Sequence, residues 1–176
     1  MNTTMTDYYG SLDLPPLKLN LDVADLEKRF HAASRRLHPD RFARAPLAEQ
    51  QEALDLSSLL NDAYRTLRDP LRRAEHVLKF SGFNIGEQGN KDVPTDLLEE
   101  VFDLNMALED AGQQDEVTAV RERLVGMREE IDQRLPKLFA AHDAGGTVLE
   151  ELRGLLNRRR YIANLISTAS GEGIRH

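Results

Sequence analysis

The 176-residue chain is 40% hydrophobic and 30% charged, enough apolar content for packed cores and a profile that suits a soluble helical protein of one or two domains. It has no Cys, which excludes disulfides, thiolate metal sites and a Cys nucleophile and fits a reducing cytosol. Its net charge of −7 is uneven: Val23 to Arg44 carries six basic residues against three acidic, and Asp96 to Asp132 twelve acidic against three Arg.

That layout makes a poor general nucleic-acid binder, because the acidic half repels phosphate. It suits a protein with two faces for two partners. No apolar run approaches the ~20 residues of a membrane span. Met1 to Asp7 shows neither the basic start of a secretory signal nor the Arg-rich pattern of a transit peptide. Nearly the whole chain reads as helix, so the expected fold class is all-α.

Tyr8 and Tyr9 open a short Tyr/Leu segment. Val23, Leu26, Phe30, Ala33 and Leu37 then repeat at spacings of three and four, one face of a helix that Asp22 can cap. The helix stops at His38-Pro39-Asp40: Pro39 lacks an N–H and disfavours helical geometry at His38. His38 and Asp40 are therefore expected on a rigid, exposed turn beside a basic helix face. A second helix is expected from about Leu47 to Leu67, antiparallel to the first. The pattern resumes after Pro70 with Leu71, Ala74, Val77 and Leu78.

Ser81 to Pro94 is rich in Gly and polar residues and reads as a helix stop and a linker. The expected division is 1–80, a linker at 81–94, and 95–176. In the last part Thr95 caps a helix that Gly112 ends. The next carries Val117, Val120, Leu124, Met127, Ile131, Leu135 and Leu138, close to a 3.5-residue period, with a kink expected at Pro136. Gly145-Gly146 makes a turn, and the last helix carries Val148, Leu152, Leu155, Ile162 and Ile166. Short turns between long helices favour a three-helix bundle.

The helix from Thr95 to Ala111 has two apolar stripes. Leu97, Val101, Leu104, Leu108 and Ala111 supply a core face. Leu98, Phe102 and Met106 lie about a quarter turn away, flanked by Glu99, Asp103 and Asp110. Periodicity leaves two readings: one wide buried face, or an exposed apolar strip with an acidic rim that binds a protein. The basic helix face (Lys28, Arg29, Arg35, Arg36, with Arg41 beyond the turn) is likewise either a solvated surface or a docking surface. Asn157 to Tyr161 contains three adjacent Arg, which point in three directions. His31, His76, His142 and His176 show no metal-ligand spacing, and nothing beside His38 and Asp40 supplies a nucleophile or an oxyanion hole. No enzyme, cofactor or metal is therefore expected.

The order of Tyr8-Tyr9, His38-Pro39-Asp40 with Phe42, and Asn61 to Pro70 resembles a J-domain, the helical hairpin by which J-type co-chaperones engage DnaK-type ATPases. With Leu67 to Glu75 and Leu97 to Asn105 added, the whole chain resembles the HscB family, the J-type co-chaperones of iron–sulfur cluster assembly. The segment Arg73-Ala74-Glu75 followed by Val77-Leu78 sets that family apart from ordinary J-proteins.

The resemblance implies an N-terminal J-domain hairpin and a C-terminal three-helix domain. It implies a bacterial cytoplasmic co-chaperone that stimulates a DnaK/HscA-type ATPase and brings it an IscU-type iron–sulfur scaffold, without nucleic acid or membrane. Chaperone contact would fall on His38, Pro39, Asp40, Lys28, Arg29, Arg35, Arg36 and Arg41. Scaffold contact would fall on Leu98, Glu99, Phe102, Asp103, Met106, Asp110 and Tyr161. Arg41 replaces a commoner Lys, Glu99 stands where an apolar residue is frequent, Met106 where an acidic one is, and Asp103 shortens a usual Glu. The Cys-rich N-terminal extension of some eukaryotic relatives is missing. The alternatives are a J-protein with a different client and a helical nucleic-acid regulator, which should be basic across its docking face.

Overall fold

The computed structural model describes residues 7–83, 85, 99, 102–103, 106 and 114–169, and among them every regular element is a helix. The chain divides into two compact units, Met1–Ser81 and Gly82–His176.

In the first unit Asp7 caps a short helix, α1 (Tyr8–Ser11), by accepting the Gly10 N–H at 2.9 Å. Leu12 to Asp22 is not helical, a departure from the near-continuous helix expected. Pro15-Pro16 lies within it, and Asp13 and Leu17 hold φ of 52° and 56°. Asp22 caps α2 (Val23–Arg36) as expected, accepting the N–H groups of Ala24 and Asp25 at 2.9 and 3.3 Å. A 3-10 turn covers Pro39–Arg41, and α3 (Leu47–Arg68) follows.

Phe30 stacks on Tyr64 at 4.2 Å. Leu37, just after α2, lines one depression with Ala53 and Leu54 near the start of α3. The two helices therefore run antiparallel, as expected. Asp69 then caps α4 (Pro70–Phe80), accepting from Leu71 and Arg72 at 2.8 and 3.0 Å, with Pro70 at the first helical position. Gly82, at φ +85°, follows α4 in the left-handed conformation that helix ends favour. The core is built from Tyr9, Leu12, Leu19, Leu26, Leu60, Leu67, Val77 and Leu78.

In the second unit α5 (Gln114–Asp143) runs uninterrupted through Pro136 and packs on α6 (Leu149–Ala169). Asp132 pairs with Arg159 at 2.5 and 3.1 Å, and Arg134 with Glu151 at 2.9 Å, an antiparallel register. Gly145 turns the chain at φ +89°. A Cβ on Gly146 would lie 2.8 Å from the Ala141 carbonyl oxygen, so that close approach needs glycine. Leu124, Ile131, Leu135, Leu138, Leu152, Leu155 and Ile162 are buried as the periodicity expects. Phe139 on α5, which the 3.5-residue reading omits, and Leu156 and Leu165 on α6 are buried too. Of the linker only residues 81–83 and 85 are described, and the cap at Thr95 and the stop at Gly112 lie outside the described residues.

Candidate functional site

The His-Pro-Asp turn is built by local hydrogen bonds. Arg41 N–H donates to the His38 carbonyl at 3.0 Å, and Phe42 N–H to the Pro39 carbonyl at 2.9 Å. The Asp40 N–H donates to His38 Nδ1 at 3.3 Å. With Nδ1 used as an acceptor, a neutral His38 ring carries its proton on Nε2. The His38 and Asp40 side chains are 60% and 89% exposed, with Nδ1 and Oδ2 3.5 Å apart. The turn thus offers one N–H donor and one carboxylate acceptor to a partner, on a backbone that Pro39 stiffens. Farther along, Gln50 from α3 donates to the Ala45 carbonyl at 2.8 Å and closes the loop.

The cationic residues of α2 do not form one uniform face. Lys28 and Arg35, seven apart, lie opposite the buried Leu26 and Ala33. Both are exposed, as are Arg36 and Arg41, and among the described residues none of the four makes an ion pair. Arg29 differs: its Nε donates to Asp25 at 2.7 Å and its Nη1 to the Asp13 carbonyl at 2.6 Å. It ties α2 to the segment after α1, so its donors serve the fold, a role no local spacing reveals.

Of the seven residues in the second group, Glu99, Phe102, Asp103 and Met106 are helical and exposed. Phe102 is 64% and Met106 44% exposed, large values for apolar side chains one helical turn apart. These two are exposed rather than buried, and Glu99 and Asp103 are exposed acidic residues on the same segment. Leu98 and Asp110 lie outside the described residues. Tyr161, on α6, is half-buried. Among the described residues no group of three His, Asp or Glu is placed to hold a metal ion, and no helix is long and apolar enough to cross a membrane.

Residues 93–170 match the family model described as the HSCB C-terminal oligomerisation domain. A protein named co-chaperone protein HscB homolog from Paraburkholderia phymatum is 30% identical over 92% of this chain and 94% of its own. Another of that name from Burkholderia multivorans is 35% identical over 81% of each. The crystal structure of human co-chaperone protein HscB superposes with a TM-score of 0.72 at 25% identity, covering 99% of this chain and 85% of that one. Chaperone HscB from Vibrio cholerae gives 0.65 at 26% identity, covering 94% and 96%.

Proposed function

Since the chain belongs to the HscB family of co-chaperones, we propose that it couples a DnaK/HscA-type ATPase to an iron–sulfur scaffold of the IscU type in the bacterial cytoplasm. The observation that carries this reading is the exposed, internally bonded His38-Pro39-Asp40 turn at the end of α2. In this scheme Lys28, Arg35 and Arg36 steer the protein onto an acidic patch of the chaperone. His38 donates and Asp40 accepts at the nucleotide domain, favouring the conformation that hydrolyses ATP. Only a group that interacts differently with the two chaperone states can shift them, and a rigid turn is suited to that. Phe102 and Met106, rimmed by Glu99 and Asp103, supply an adaptable apolar contact for the scaffold. Holding chaperone and scaffold together raises the effective concentration of client. The protein itself performs no bond chemistry in this reading.

The test is steady-state ATP hydrolysis by the chaperone, with and without scaffold. Wild type should stimulate, and scaffold should amplify the effect. Asp40→Asn keeps the shape and removes the charge, so stimulation should fall to the basal rate. Phe102→Ala should keep scaffold-free stimulation and weaken scaffold binding about ten- to a hundredfold, as for a buried aromatic anchor. Stimulation without any scaffold effect would assign a different client. No stimulation by wild type would refute the coupling.

A further inference from the structure

The first turns of α3 expose two large apolar side chains, Leu47 at 83% and Leu54 at 52%. Seven residues apart, they share one helix face. Single exposed leucines are ordinary on protein surfaces. Leu54 is not single. With Leu37, Pro39, Phe42, Gln50 and Ala53 it lines an open depression of about 60 Å³. A water-sized occupant needs roughly 10–15 Å³ on this measure, so the depression holds about four to six heavy atoms. That is the size of an isobutyl or sec-butyl group. A nucleotide or a helix would not fit.

The wall of this depression decides what it can take. Five of its six lining residues are apolar, and the sixth, Gln50, donates its amide to the Ala45 carbonyl at 2.8 Å. Pro39 is at once part of the wall and the middle of the turn. A surface that meets His38 and Asp40 from this side is therefore continuous with the depression. Arg36 and Arg41, each next in sequence to a lining residue, and Arg44, two beyond Phe42, are exposed and basic. The matching partner surface is an aliphatic side chain set among acidic residues.

We propose that the depression bounded by Leu37, Pro39, Phe42 and Leu54 takes one aliphatic side chain of the partner chaperone, as a second contact beside His38 and Asp40. The proposal rests on the reading of the turn as chaperone-binding. It divides the work between two neighbouring features. The turn's polar groups exchange water for protein partners at small net gain, so they discriminate between chaperone states more than they add affinity. Burial of an aliphatic side chain adds affinity in every state that reaches it. Loss of the depression should raise the concentration needed for half-maximal stimulation and leave the maximum unchanged. Loss of Asp40 should remove the maximum.

The experiment titrates the full chain into the chaperone ATPase assay, comparing Leu54→Gln with wild type, Asp40→Asn and Leu56→Gln. Gln keeps helix propensity and adds no charge. Leu56 is a fair control, being 42% exposed on the same helix and absent from the lining. Leu54→Gln should raise the half-maximal concentration about tenfold at an unchanged plateau, Leu54→Met should restore it, and Leu56→Gln should behave as wild type. An unshifted Leu54→Gln curve, or an equal shift from Leu56→Gln, overturns the depression and leaves the turn intact. A wild type that stimulates no better than Asp40→Asn overturns the chaperone reading itself, and the depression with it.

Discussion

The two ends of α3 use polar side chains in opposite ways. The helix is 22 residues long, so its ends lie about 33 Å apart. Beside its first turn, His38, Pro39, Asp40 and Arg41 are exposed and held by short-range bonds within the turn. Beside its last turn, Arg73 is 5% exposed and donates from Nη1 to the Leu67 carbonyl at 2.6 Å. That carbonyl belongs to the final turn, where no intrahelical partner exists. Asp69 caps α4 at the same junction, and His76 stacks on Tyr8 at 4.6 Å and 15°. At one end the polar side chains face solvent; at the other Arg73 Nη1 and the Asp69 carboxylate are used in closing the fold. The contrast sets the proposed coupling and the stability of the fold at opposite ends of a single helix.

Arg73→Ala is the strongest test of that separation. It deletes a charged donor from a buried carbonyl and leaves a void, a combination that costs about 2–3 kcal/mol. For a domain of this size the melting temperature should drop by roughly 10 °C or more. Stimulation per folded molecule should not change when measured well below the transition. Asp40→Asn should show the converse: stimulation lost, with stability within about 0.5 kcal/mol of wild type, as for other exposed positions. Thermal melts followed by circular dichroism, paired with the ATPase assay, decide both. A stable Arg73→Ala protein, or a destabilised Asp40→Asn, would break the comparison.

The exposed end was the more legible one in the sequence. The spacing from Val23 to Leu37, the cap at Asp22 and the missing N–H of Pro39 are local facts, and they place the end of α2 and its turn correctly. The buried end depends on contacts that local spacing does not carry. Arg73 reads as one more helical cation until its carbonyl partner, six residues back across a helix junction, is seen. Arg29 is a second case, because the Asp13 carbonyl it holds is sixteen residues away. The depression beside Pro39 draws its walls from α2, the turn and α3, so no single period reveals it. Periodicity on the strip left two readings open, and it could not tell that Phe102 and Met106 are exposed. In the second unit the heptad reading finds one seam of α5 and omits Phe139, because the buried face is wider than a coiled-coil stripe.

The smallest expected effect concerns protons at the buried end. His76 stacks on Tyr8 and lies at 6.2 Å, tilted, from both Tyr9 and Phe80. Its Nε2 is buried and finds no hydrogen-bond acceptor among the described residues. Partial burial holds its pKa below the ordinary 6.5; Asp7 opposes that shift and Lys79 adds to it. In the unfolded chain the ring takes a proton near 6.5, and in the folded chain only at lower pH. Between those values the unfolded state binds more protons, so stability rises with pH there. The contribution is fully present above pH 6.5 and is lost as pH falls through the folded value. His76→Phe keeps an aromatic ring in the stack and removes the titration. Melting temperatures at pH 7.5 and 5.5 should therefore differ less in His76→Phe than in wild type. Equal differences in the two proteins would mean that this ring already carries its proton in the folded chain as readily as in the unfolded one. The buried end would then be as open to water as the turn at the other end of α3.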